Sequence, residues 1–176
     1  MRSMGANSTS DEARTGAPAP GLHATWRGLG WDADRWPHFT ARELSCKCGG
    51  KHCDGEYFHD PDFLDALERF RGLVGRSVII NSGRRCRLHN IDVGGARLSQ
   101  HTLGIAADVS LVGMNAGPVA SAAAVAGFRG MGFGMTILHL DIRPARASWY
   151  YPGGKAFWRM MFGFDVAARF KKTGRL

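Results

Sequence analysis

The sequence predicts an α+β domain, a small antiparallel sheet with flanking helices, and three observations predict it. One segment, Pro61 to Val74, has strong helical spacing of its apolar residues. Three short apolar runs of strand length follow, at Val78-Ile79-Ile80-Asn81, Gly104 to Leu111 and Ile137 to Ile142. Glycine is abundant, 24 residues, which favours many turns over long regular elements. Strands and helices in this order suit helices packed on one antiparallel sheet.

Taken in order, residues 1–24 are poor in large apolar side chains and contain Ala17-Pro18-Ala19-Pro20, so a disordered N-terminal segment is expected there. A folded domain over 25–160 follows, then a basic C-terminal tail over 161–176 that is expected to be solvated and frayed. Trp26, Trp31 and Trp36 are expected to pack across an edge of the core, with an exposed aromatic patch as the sharper alternative. Thr40 followed by Glu43 is a capping box that opens a short helix. In the Pro61–Val74 helix, Pro61 suits the first turn and Gly75 ends it. Its apolar face is formed by Phe63, Leu64, Leu67, Phe70, Leu73 and Val74. Ser82-Gly83 closes the first strand. Pro118 to Phe128 is an Ala-rich helix that ends near Gly130, and a turn region runs from the third strand through Gly154.

The chain has 176 residues, 44% hydrophobic and 22% charged, which suits one domain with a sizeable core. No apolar run approaches the roughly 18 residues that span a bilayer, so no membrane span is expected. The first residues lack the apolar segment of a signal peptide. The expectation is synthesis in the cytoplasm without a Sec-type export address. A net charge of +8 favours polyanionic partners. A nucleic-acid partner ranks low, because it leaves the histidine pattern described next without a purpose. A monomer is expected.

The chemistry centres on His101 and Asp108, seven positions apart, and on His139 within Ile137-Leu138-His139-Leu140-Asp141. Two imidazoles and one carboxylate are a complete three-ligand set for Zn²⁺ and leave a fourth tetrahedral position for water, as a hydrolytic site requires. Zinc lowers the pKa of such a water from about 15.7 to about 7. On a strand, His139 and Asp141 share a face. Asp141 is therefore the candidate general base, and its alternative role is to orient a ligand histidine by hydrogen bonding. Ser82-Gly83-Arg84-Arg85 ends the first strand. One of its guanidinium forks suits a terminal carboxylate or an oxyanion, and a surface ion pair is the plain alternative.

Ser99, His101, Gly104, Ala106 and Asp108 match every fixed place of Ser-x-His-x-x-Gly-x-Ala-x-Asp. Ser82, Gly83 and Arg85 match a preceding Ser-Gly-x-Arg, and His139 with Asp141 match a later His-x-Asp, with Trp149 downstream. In these motifs residues 38–150 resemble the D-Ala-D-Ala carboxypeptidase family of zinc peptidases, which includes phage endolysins. The resemblance implies a hedgehog/DD-peptidase-like fold, with His101, Asp108 and His139 as ligands of one catalytic zinc. It implies Arg85 as a catalytic and substrate-binding contact, Ser99 as a substrate-side hydrogen bonder, and a peptidoglycan stem peptide cleaved next to a D-amino acid. Release to the wall would then follow a phage-type lysis or tail-associated route. One position departs from the family. Several branches carry Glu or Asp three residues before the last zinc histidine, where this chain has Thr136, so Asp141 is left to act as base. The alternative to an enzyme is a non-catalytic, zinc-stabilised module that binds cell wall or a partner.

Cys46, Cys48 and Cys53, with Cys86 distant, leave three states open. One or two disulfides are the first expectation for a protein that works outside the cell. A second, structural ion at Cys46, Cys48 and Cys53 ranks below them, because Cys-x-Cys is tighter than the usual zinc spacing; free thiols complete the set. His89 is read as shaping a turn.

Overall fold

The computed structural model describes residues 16–176. The expected disorder of residues 1–15 lies outside the described residues. Residues 21–24 depart from that expectation: β1 (Gly21–His23) pairs antiparallel with β2 (Tyr57–His59). Backbone pairing and the His23–Tyr57 ring contact hold this segment, neither of which needs large apolar side chains from it. Of the three tryptophans, Trp36 is buried, and Trp26 and Trp31 pack against the core, as expected.

The helices are set by their ends. In α1 (Ala41–Leu44) the Thr40 side chain accepts from the Glu43 N–H. In α2 (Pro61–Val74) Asp60 caps the first turn by accepting from the Phe63 N–H. Gly75 ends α2 at φ 70°, a left-handed conformation that costs glycine little. The buried face of α2 carries Phe63, Leu64, Leu67 and Phe70; Leu73 points to solvent instead. The Ala-rich helix is α4 (Ala116–Ala126), whose small side chains let it lie close to α2.

The main sheet has five strands in the order β3-β4-β6-β5-β7. They are β3 (Ile80–Ser82), β4 (Ala106–Ser110), β5 (Gly130–Phe133), β6 (Ile137–Asp141) and β7 (Ala147–Tyr150). The expected antiparallel pairing holds for β3–β4, β4–β6 and β5–β6, whereas β7 runs parallel to β5. One face of the sheet presents Ala107, Val109, Met131, Phe133, Leu138 and Leu140 to the apolar core with the helices. The opposite face presents Asp108, His139 and Asp141, with α3 (Arg87–Asp92) and a 3-10 turn over Gln100–Leu103 in the chain between β3 and β4.

The basic tail expected over 161–176 is folded. Helix α5 (Gly154–Phe162) crosses its boundary, and α6 (Val166–Thr173) docks on β7. Asp165 caps α6, and Val166, Ala167 and Phe170 are buried, while the lysines and arginines of this stretch stay in solvent. Charge composition misses this arrangement because it occupies only the outer side of the helix. Among the described residues no helix is long and apolar enough to cross a membrane.

Candidate active site

A single lateral row of residues crosses all five strands: Ser82, Asp108, His139, Gly132 and Trp149 are successive register partners. Because neighbours in such a row share a face, Asp108 and His139 stand side by side. His101 reaches them from the 3-10 turn, where Gly104 (φ 77°) closes the backbone by donating to the His101 carbonyl.

The three donor atoms converge. Asp108 Oδ1 lies 2.9 Å from His139 Nδ1 and 3.2 Å from His101 Nε2, and the two nitrogens are 3.1 Å apart. Metal bonds of 2.0–2.1 Å in a tetrahedron separate ligand atoms by about 3.3 Å, so the set fits a zinc-sized ion. Each imidazole has its other nitrogen occupied. His101 Nδ1–H donates to the Gly83 carbonyl at 2.7 Å, and His139 Nε2–H donates to Asp141 Oδ2 at 3.0 Å. These bonds fix the tautomers that leave a lone pair on each converging nitrogen.

The electrostatics agree with that arrangement. Burial pushes the Asp108 carboxyl up, but hydrogen bonds from His101 and His139 outweigh it and hold the group well below the usual range. Burial pushes the His101 imidazolium down, towards the neutral form that a metal needs. Burial also opposes charge on His139, yet its bonds to Asp108 and Asp141 raise it. A cation at this point is favoured by the carboxylates that flank it.

Asp141 occupies a different place from the one expected of a base. It is fully buried behind the His139 ring, and Arg143 closes on it: Nε donates to Oδ1 at 2.7 Å, and Nη2 donates to Oδ2. This is the place of the alternative reading, a carboxylate hydrogen-bonded to the far nitrogen of a candidate ligand histidine, and not of a base that faces the cleft. The cause is the strand geometry itself, since two residues along β6 the carboxylate meets the far nitrogen of the imidazole. Thr136 is exposed in the turn before β6, outside the cleft.

The cluster opens on a cleft of about 560 Å³, lined by all three donor residues and by Arg85, Ser99, Trp149 and Tyr151, among others. Arg85 Nη2 donates to Asp108 Oδ2 at 2.6 Å, and its Nε donates to Ser82 Oγ at 2.9 Å. Arg84 faces elsewhere. It pairs with Glu56 and donates to the carbonyl of Thr102, so it braces the 3-10 turn.

The sequence motifs missed three kinds of contributor. Arg143 lies two residues beyond Asp141, past the end of β6, where no motif marks it. Tyr151 carried no signal. Gly130 and Gly132 act by lacking side chains: a Cβ on Gly130 would collide with the Asp141 carboxylate, and one on Gly132 would come within 2.7 Å of the Trp149 indole. That indole lies over the His139 ring, centroids 5.0 Å apart, with the Arg143 guanidinium 5.2 Å from its own centroid.

A family model described as Peptidase M15 matches residues 37–142, which contain all three donor residues and Arg85. The chain belongs to the peptidase M15 family. No curated protein matches its sequence. Peptidases of the M15 family are zinc-dependent metallopeptidases, and the converging atoms of His101, Asp108 and His139 meet that requirement in donor type and spacing. The M15 match ends at Ile142, one residue past Asp141, so Arg143 and Trp149 lie beyond the matched span.

Proposed function

We propose that this M15 chain is a zinc-dependent peptidase acting on peptidoglycan stem or cross-link peptides, at an amide next to a D-amino acid. The observation that carries the reading is the convergence of two imidazoles and one carboxylate at the wall of an open cleft. A zinc ion held there supplies Lewis-acid polarisation of a carbonyl and a water acidic enough to attack it at neutral pH. His101, Asp108 and His139 would hold the ion. Asp141 and Arg143 orient His139. Arg85, already against Asp108, is the cationic fork available to a substrate carboxylate or carbonyl. Ser99, on the cleft wall, would hydrogen-bond the substrate backbone. The surplus of positive charge supports an anionic wall polymer as the setting, and passage to the wall by a lytic or tail-associated route belongs to the same proposal.

One observation favours a second reading, a zinc-stabilised binding module. Among the described residues Asp108 is the sole carboxylate lining the cleft, and it belongs to the donor set. The test for both is incubation of zinc-loaded protein with purified peptidoglycan of several cross-link chemistries, followed by mass analysis of the fragments. New amine and carboxyl ends next to a D-residue, absent with His101→Ala, are expected. Sedimentation with the wall but no fragments from any chemistry would favour the module.

A further inference from the structure

A second group of metal-ligating side chains stands outside the cleft. Cys46 follows α1, Cys48 and Cys53 belong to the loop that leads to β2, and Cys86 is the N-cap of α3. Their four sulfurs all lie within 4.8 Å of one another, with Cys48 and Cys53 at 3.6 Å. Zn–S bonds of about 2.3 Å in a tetrahedron set sulfurs about 3.8 Å apart. Disulfides would draw sulfurs together in twos, whereas this is one cluster of four. Three of the sulfurs face backbone amides: Cys86 N–H donates to Cys46 at 3.3 Å, His89 N–H to Cys86 at 3.4 Å and Glu56 N–H to Cys53 at 3.5 Å. His89 Nδ1 also lies 3.3 Å from the Cys46 sulfur, so the residue expected only to shape a turn touches the cluster. Such donors stabilise negative sulfur. From Ser45 to Glu56 the chain contains no large aliphatic or aromatic side chain, and Cys46 and Cys86 are buried. Something other than hydrophobic packing must hold this loop.

We propose that Cys46, Cys48, Cys53 and Cys86 hold a second metal ion, a structural zinc independent of the His101–Asp108–His139 site. Four protein donors leave no open position, which is the mark of a structural site. The ion ties the Cys46–Cys53 loop to the residue directly after Arg85, the arginine that reaches Asp108, so it anchors one wall of the cleft. Fourfold thiolate ligation suits zinc or iron, and metal analysis separates them.

The test is metal analysis of the full chain purified under reducing conditions, together with the absorption spectrum of the cobalt-substituted protein. Two zinc ions per chain are expected, with one retained by the His101→Ala/Asp108→Ala double variant. Strong thiolate-to-cobalt charge-transfer bands are expected in the unaltered chain, and their loss in Cys48→Ser/Cys53→Ser. A chain without those bands, iron in place of zinc, or a native mass lowered by the two hydrogens of each disulfide would overturn the proposal. The spectrum of the unaltered chain decides even if the cysteine variant does not fold. Because the bands come from sulfur alone, the result does not depend on whether the cleft is catalytic.

Discussion

Asp141 does its work through the atom it touches. Its Oδ2 accepts from His139 Nε2–H, and Arg143 neutralises it from the other side, so the carboxylate fixes the tautomer and tilt of His139 without facing the cleft. Removal of such an orienting partner typically costs 10–100-fold in metal affinity or activity. Asp141→Asn is therefore expected to weaken zinc binding by about 10–100-fold, measured by competition with a chelator, with activity recovered at excess zinc. A base would behave otherwise: zinc affinity would hold and added zinc would rescue nothing. The same residue sets an acid limit on stability. Burial raises its pKa, but the bonds from His139 and Arg143 outweigh this and hold it at about 2, below the ordinary carboxylate value. Its stabilisation is therefore complete above the unfolded-state pKa near 4 and is lost as pH falls towards 2. In metal-free protein the unaltered chain should lose about 2 kcal/mol more than Asp141→Asn over that interval, measured by urea titration at each pH. Parallel stability curves for the two would remove this role.

At the scale of elements, legibility followed the source of the signal. Helix α2 was readable, Leu73 apart, because its first-turn proline, its apolar spacing and its terminal glycine agree. The edges of β3 and β4 moved by about two residues, as boundaries usually do. Strand β5 was missed for a physical reason: in Gly130-Met131-Gly132-Phe133 one face has no side chains, so the run reads as turn rather than strand. That bare face is what admits the Asp141 carboxylate and the Trp149 indole beside His139. The donor residues were legible because their spacing is local and their types are chemical. Arg143 and Tyr151 were not, since only sheet register and cleft shape bring them in. The 3-10 turn that carries His101 gives an element-scale prediction. Gly104 has φ 77°, and a Cβ there would collide with the Phe58 side chain; Gly94 has φ 65° with open space around it. Gly94→Ala should cost about 1 kcal/mol of backbone strain. Gly104→Ala should cost clearly more and also weaken zinc binding, because relief of the collision moves His101. Equal losses by denaturant titration would mean that Phe58 yields freely and the turn is not braced.

For the whole molecule, the question is whether the C-terminal helix is an appendage or part of the structure that holds the site. Charge composition said appendage, yet Asp165 as cap, buried Val166, Ala167 and Phe170 on one face, and Gly174 as stop together form a complete amphipathic helix. It packs on β7, where Ser148 Oγ donates to the Ala167 carbonyl at 2.6 Å and Tyr150 Oη donates to Asp165 at 2.8 Å. Among the described residues strand β7 pairs only with β5, at the sheet edge, and it carries Trp149, the ring that backs His139. A path of direct contacts thus runs from α6 through β7 to the donor set. Phe170, 1% exposed, is the side chain on which this docking turns. Phe170→Ala is expected to destabilise the chain by about 3–5 kcal/mol, with the loss appearing in a single unfolding transition that zinc release accompanies. The measurement is urea unfolding followed in parallel by tryptophan fluorescence and by a zinc-sensitive dye. If stability changes by less than about 1 kcal/mol, or if an early transition leaves zinc bound, then α6 is a separable appendage and the site stands on the remaining strands alone.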